Sequence, residues 1–467
     1  MNRLVRLVLF ACLAAVVLPS VAFGAARMYV GFYDDAAFRW RADHVQNLDR
    51  ARDAHATIIN AAVNWAKVAP TRPANASNPF DPTYNFSDLD ELIRGAQARG
   101  IEPMLQIWGT PTWAGPAANR LPRQLSSLTA FARAVAARYS GRYPGYPFVR
   151  FYGVWNEPNL NQFLAPQFDK KGRSVGPALY AKLFKAAYTG IKGGNSLAQV
   201  GLGETSARGR DRHVGGLQDT HSPGRFYQLV AKASPNLKFD AVAHHPYPTD
   251  PKQRPEQVVR WPNVSLSSIP RLESSLKRWF HRKSAVPIWI TEYGHETNPD
   301  PSGVDYQTQS DYMKRAFAIA ARYPYVPMFI WFVLHDDAGD PWQSGLIAED
   351  GTLKPSFFTF ADIAYQFDPR NALLVVKGGV PNPVVRLSAR QMAARSPVGA
   401  TIGVDMRVIL GDSLVAHPQP QAKLGIDDWV TVPVAFTPVK GRTYYVQVQM
   451  NDIHGDTVSW LLTLVAR

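Results

Sequence analysis

The sequence predicts an α/β protein: a (β/α)8 TIM barrel followed by a small C-terminal antiparallel β-sandwich. Three observations predict it. Eight short runs of apolar and β-branched residues recur along the chain, stretches with helix start and stop signals separate them, and after about residue 370 the pattern changes to short period-two runs. Strands that are apolar on both faces and alternate with helices imply a parallel sheet covered by helices, and eight such units close most simply into a barrel. The alternative is an open doubly wound sheet. Neither G-x-G-x-x-G nor G-x-x-x-x-G-K-[ST] follows any of the eight runs, which disfavours it.

The first segment, MNRLVRLVLFACLAAVVLPSVAFGAA, starts basic at Arg3 and Arg6, continues apolar and ends in small residues at Ala22 and Gly24. This is the pattern of an export signal over residues 1–24, and it predicts a secreted or periplasmic protein. The apolar run from Leu7 to Val17 is shorter than the ~20 residues a membrane-spanning helix needs, so no stable span is expected after cleavage. Cys12, the only cysteine, lies inside that segment. The mature chain is therefore expected to have no disulfide, thiol catalyst or cysteine metal site.

The eight runs are residues 28–33, 56–65, 101–109, 149–157, 198–204, 239–247, 287–294 and 327–335. The clearest helix between them is FSDLDELIRGAQARG, where Ser87 suits a cap, Asp88, Asp90 and Glu91 suit the positive helix start, and Gly100 suits the stop. Further helical stretches cover 124–139, 177–191, 223–233, 271–282 and 307–322. These elements make residues 25–369 a barrel domain. In 370–467, GRTYYVQVQMND puts Tyr444, Val446, Val448 and Met450 on one face of a strand, as a β-sandwich requires.

A formal net charge of +14, or +12 without Arg3 and Arg6, favours acidic partners only weakly. The basic residues are scattered, and clusters such as DKKGR are short, so no nucleic acid is expected. An anionic polysaccharide or acidic cell surface suits an exported basic protein better.

The chemistry gathers at strand ends, which form the floor of the active site in such barrels. Strand 4 ends in FYGVWNEP, with Glu157 before a proline that lacks an amide proton and biases Glu157 towards an extended backbone. Strand 7 repeats the arrangement in PIWITEYG, with Glu292 at its end. A lone glutamate at a loop start is an ordinary surface residue; two facing one cavity are what glycoside hydrolysis needs.

WNEP and TEYG at these positions resemble the acid/base and nucleophile signatures of glycoside hydrolase clan A, the retaining barrel glycosidases. The resemblance spans roughly residues 28–365 and is closest to families 39 and 5. It implies Glu157 as general acid/base, Glu292 as nucleophile and Asn156 as partner of the sugar 2-hydroxyl. HHPYP at the end of strand 6 resembles the family's His-x-Tyr, with His245 and Tyr247 on one face and Tyr247 orienting Glu292. His244 then points away as a scaffold residue, and adjacent histidines facing oppositely make a poor zinc site. Trp331 matches the clan's aromatic platform for the sugar. Trp108, Trp113 and Trp342 lie in strand-end loops where an indole covers a pyranose face or packs in the core. Gln106, Asn64 and His335 are weaker pocket candidates. The chain departs from family 5 in offering Asn64 near the end of strand 2, where that family carries arginine, and Gln106 or Trp108 near strand 3, where it carries histidine.

The retaining reading expects the two carboxylates roughly 5–5.5 Å apart. Glu204, a third rim carboxylate ending strand 5, is expected outside that pair. Substrate would be a polysaccharide or oligosaccharide; no cofactor and no metal are called for. A non-catalytic carbohydrate-binding or adhesion protein on the same fold and a transglycosylase are the rivals.

Overall fold

The structure is a computed structural model that describes residues 28–368 apart from Pro341, and 374–467 apart from 390–395, 397, 412, 426–428, 453, 454 and 456. The expected export signal, with Cys12, lies outside the described residues. Among the described residues no helix is long and apolar enough to cross a membrane.

Eight parallel strands close into a barrel: β1 (Tyr29–Tyr33), β2 (Ile58–Asn64), β3 (Glu102–Trp108), β4 (Phe151–Val154), β5 (Gln199–Ser206), β6 (Ala241–His245), β7 (Ile288–Ile290) and β8 (Met328–Trp331). β1 closes the ring by pairing with both β2 and β8, in register Gly31 with Ile58 and Tyr29 with Met328. Among the described residues eight helices of ten residues or more surround it: α1 (His44–Asp53), α2 (Ser87–Ala98), α3 (Leu125–Arg138), α4 (Gly176–Gly194), α5 (Pro223–Ala233), α6 (Ile269–Trp279), α7 (Tyr306–Ala320) and α8 (Pro355–Phe367). All eight predicted strands are present. Ser87 is the first helical residue of α2 rather than its cap, and its hydroxyl bonds Asn85 instead. The sequence reading missed α1, because that helix is mostly polar and buries only Asn47, Leu48 and Ala51.

Each barrel strand serves two compartments. Tyr29, Ile58, Met104, Phe151, Ala241, Ala243, Trp289, Met328 and Ile330 form one cluster inside the barrel. Their neighbours in sequence, such as Val30, Ile59, Leu105, Val242 and Phe329, join the much larger layer under the helices. Period-two alternation produces this division. Phe151 packs edge-on to Tyr29 at 5.0 Å and to Trp289 at 5.3 Å, so aromatic rings seal the lumen. Truncating a ring of this kind to alanine costs about 3–5 kcal/mol. Gly31 on β1 allows the tightest approach: a Cβ there would fall 1.7 Å from the Ile58 carbonyl oxygen.

The C-terminal region folds into two facing sheets. One contains β9 (Leu374–Val376), β11 (Thr401–Leu410), β12 (Ser413–Ala416), β13 (Gln421–Lys423), β15 (Thr443–Asn451) and β16 (Thr457–Ala466); the other pairs β10 (Val384–Ser388) with β14 (Trp429–Pro433). Tyr444, Val446, Val448 and Met450 all point into a shared core with Val385, Leu387, Val430 and Val432. One pairing is not antiparallel: β9 runs parallel to β16.

Candidate active site

β4 ends at Val154, three residues before Glu157. The residues that follow form a turn rather than a strand end, with positive φ at Trp155 (73°) and Glu157 (35°). The extended Glu157 expected from Pro158 is therefore corrected. Hydrogen bonds override the local preference: Trp155 N still donates to Ile107 O (2.7 Å), Glu157 N donates to Glu204 O (2.9 Å), and Leu160 N donates to Glu157 O (2.9 Å). Left-handed conformations at non-glycine residues cost about 1–3 kcal/mol each and concentrate at functional sites.

β5 contributes a third such residue. Its pairing with β6 shifts register between Gly203 and Thr205, which leaves Glu204 on a bulge with φ 57°. A bulge re-aims a side chain. Glu204 is thus inside the strand rather than at its end, fully buried, with its Oε2 3.4 Å from His245 Nε2. It lies over Gly153 on β4, where a Cβ would come within 1.8 Å of Oε1.

His245 stands between the carboxylates. Its Nδ1 is 3.2 Å from Glu157 Oε1 and 3.4 Å from Glu292 Oε2. The nearest atoms of Glu157, His245 and Glu292 lie within 4.8 Å of one another. Tyr247 donates its hydroxyl to Glu292 Oε2 at 3.1 Å. Glu204 approaches from the opposite edge of the imidazole and stays out of the Glu157–Glu292 pair. Burial opposes a charged ring, but attraction to Glu292 and hydrogen bonds to Glu157 and Glu204 outweigh it and raise the His245 pKa to about 10. Burial pushes Glu292 above the usual carboxylate range; His245 and the Tyr247 hydrogen bond oppose this, while Glu157 and Glu204 reinforce it. Glu157, His245 and Glu292 have the spacing of cation ligands, yet an imidazole faced by three carboxylates favours a proton on Nδ1, where such a cation would sit.

The sequence model for Glycosyl hydrolases family 39 matches residues 30–329, which include the whole of this cluster. The chain belongs to glycosyl hydrolase family 39. It is therefore a glycosidase of the retaining clan A type, with a carbohydrate substrate. Among solved structures it resembles a family 39 glycoside hydrolase from the gut symbiont Bacteroides cellulosilyticus WH2, with TM-score 0.55 and 17% identity over 91% of this chain and 81% of that one. It also resembles a glucosidase from Croceicoccus marinus, with TM-score 0.56 and 13% identity over 88% of this chain and 94% of that one. At these identities the likeness concerns the fold. Among curated proteins nothing matches.

Around the carboxylates of this family 39 barrel, the other predicted residues divide. Asn156 is half-buried and accepts from Gln106 Nε2 at 3.3 Å, while Gln106 Oε1 accepts from the Tyr33 hydroxyl at 3.2 Å. Trp342 lies beside Tyr247, ring centroids 5.0 Å apart. Trp108 and Asn64 line a cavity of about 420 Å³ that continues from Tyr33 to Trp40, whose ring is 56% exposed and lies 4.7 Å from Lys67 Nζ. Trp113 packs edge-on to Trp65 and donates to Ala69 O. His335 is buried with Nδ1 on the Asp336 carbonyl, and its backbone amide helps tie β8 to Asp34.

Trp331 is the main correction. It is 0% exposed, belongs to the layer under the helices and donates its indole N–H to Ser344 O at 2.9 Å, so it has no face to offer a sugar. The next residue lies beside two other aromatic rings instead. Phe332 is half-buried, with its ring 5.5 Å from Tyr33 and 6.2 Å from Trp342. Counting by twos from Met328 and Ile330, both inside the barrel, would have pointed to it. His244 also obeys the alternation: it faces outward, bonded to Thr205 Oγ1 (2.9 Å) and Val264 O (3.0 Å).

Proposed function

We propose that this family 39 enzyme is exported and hydrolyses an extracellular or cell-wall polysaccharide by double displacement, with Glu157 as general acid/base and Glu292 as nucleophile. The observation that carries the proposal is the closeness of the two carboxylates at one imidazole, with Tyr247 donating to Glu292 alone of the pair. Such closeness suits a nucleophile and an acid that flank one bond, without room for an intervening water. Glu157 gives its proton to the leaving oxygen as Glu292 attacks the anomeric carbon and forms a glycosyl ester. A water that loses its proton to Glu157 then cleaves the ester, restoring both groups. The Asn156 amide, its oxygen held by Gln106, keeps its N–H groups for the sugar 2-hydroxyl. Phe332 and Trp342 supply aromatic faces, and the cavity towards Trp40 accepts further sugar units.

The test is removal of each carboxylate in the presence of azide. Both alanine variants should fold, since neither side chain belongs to the apolar core. Glu292→Ala should give a glycosyl azide of inverted configuration from an activated substrate, because azide enters from the vacated face. Glu157→Ala should give the retained azide, because the ester still forms and azide needs no base. The reverse pairing would exchange the roles. Undiminished activity of either variant on a natural glycan would remove that residue from the mechanism. The C-terminal sheets are assigned an accessory role: residues 25–369 alone should turn over a soluble substrate as fast as the mature chain. A folded barrel with lost turnover would instead give the sheets a part in shaping the site.

A further inference from the structure

On the flank of the barrel, α5 and α6 enclose a cavity of about 230 Å³ whose lining includes Arg225, Arg271 and Arg278, and no carboxylate. By contrast, Arg39 is compensated by Asp35 and Asp88, and Arg138 by Asp90. Among the described residues none of these three has an acidic partner. Arg225 donates to the neutral Gln228 at 2.7 Å, and Arg271 lies 4.6 Å from the centroid of the Trp261 ring. Trp261 and Trp279 are rooted in the core but half-exposed, with rings 6.3 Å apart and inclined at 32°. The site is built closely: Gly224 N donates to Pro262 O at 2.9 Å, and a Cβ on Gly224 would meet the Trp261 indole at 2.9 Å.

From this arrangement we infer that the flank holds a second carbohydrate site, separate from the cleft, for a polysaccharide that carries carboxylates. Indole faces take the apolar faces of sugar rings, and planar guanidiniums take carboxylates through paired hydrogen bonds. Three cations gathered in one cavity repel each other until an anion enters, so the ligand carries the missing charge. A nucleic-acid track would need basic residues spread along a backbone path, whereas here they converge beside two indoles. Arg225 and Arg271 stand in the first turns of their helices, on the barrel side where the strands end and Glu157 and Glu292 emerge. Arg278 and Trp279 stand in the last turn of α6, so the groove runs along the helix away from that side. The inference rests on the proposed polysaccharide hydrolase and names its substrate class as acidic.

The experiment compares binding of polygalacturonate, of the same polymer with its carboxyl groups reduced, and of a DNA duplex to the full-length Glu292→Ala protein, which prevents turnover during the measurement. Polygalacturonate should bind at least about tenfold more weakly when Arg225→Ala and Arg271→Ala are added, and also with Trp261→Ala. The reduced polymer should bind the parent no better than polygalacturonate binds the arginine variant. In the Glu292 background of the natural protein, the arginine pair should leave aryl-glycoside turnover unchanged. Equal binding by parent and variants, or equal affinity for the reduced polymer, overturns the site. Tighter, arginine-dependent binding of DNA assigns it to a different ligand. Absent aryl-glycoside turnover in the natural protein counts against the hydrolase reading alone, since the binding arms do not depend on it.

Discussion

Two neighbouring compartments of this barrel treat the same side chain in opposite ways. His244 and His245 are consecutive on β6 and both fully buried. In the layer under the helices, burial lowers the His244 pKa to about 3, and the ring is neutral between Thr205 and the Val264 carbonyl. At the mouth of the barrel, three carboxylates hold His245 at about 10. Depth is equal, so depth does not make the catalytic environment. Alternation of the strand places one ring among dipoles and the other among charges, and charge decides the protonation state.

The sharpest way to break the comparison is to exchange each histidine for asparagine. His245→Asn removes the cation that lowers the Glu292 pKa, so the carboxylate becomes harder to ionise. On the proposed assignment Glu292 attacks as an ionised carboxylate, so the acid limb of the pH–rate profile should move to higher pH, with kcat/KM lower by on the order of 10²-fold or more. His244→Asn should leave that profile in place and cost about 1–3 kcal/mol of stability through lost buried hydrogen bonds. Matching pH shifts in the two variants would show that the compartments are not electrostatically distinct.

A smaller effect of opposite sign is expected at Glu204. Its charge raises the Glu292 pKa, so Glu204→Gln should move the acid limb to lower pH while His245 remains protonated. Activity should fall roughly tenfold as the imidazole loses one of its three anchors. Gly153→Ala should reproduce the activity loss sterically, since its Cβ would collide with Glu204 Oε1. A merely structural Glu204 would change melting temperature without displacing the pH profile.

Much of this was legible in the sequence, for identifiable reasons. The strand count survived because each run is apolar and bounded by helix signals, and the carboxylate pair because Glu157 and Glu292 each end such a run. Their presentation was not legible: the Glu157 turn depends on a hydrogen bond from its amide to Glu204, 47 residues away in sequence. The Glu204 bulge left only a weak mark, Gly203 inside the strand run, which an otherwise apolar pattern outweighed. Strand 8 misled through residue type. PMFIWFVL is apolar throughout, so composition hides which residues face inward, and the tryptophan was preferred to the phenylalanine beside it.

That strand also offers the last and smallest test, because Trp331 and Phe332 repeat on β8 and its exit the division seen on β6. Phe332, near Tyr33 and Trp342, should contact substrate. Phe332→Ala should raise KM about tenfold, the equivalent of ~1.4 kcal/mol of lost ring contact, with little change in melting temperature. Trp331, packed outward and bonded to Ser344 O, should contribute to folding instead. Trp331→Phe removes that hydrogen bond and leaves space in a dense layer, so stability should fall by about 1–3 kcal/mol while KM stays near its original value. Measuring KM and melting temperature for both variants separates the roles, since each should move one quantity and spare the other. If Trp331→Phe raises KM and Phe332→Ala does not, the tryptophan is the sugar platform after all, and the inward and outward assignments on β8 are reversed.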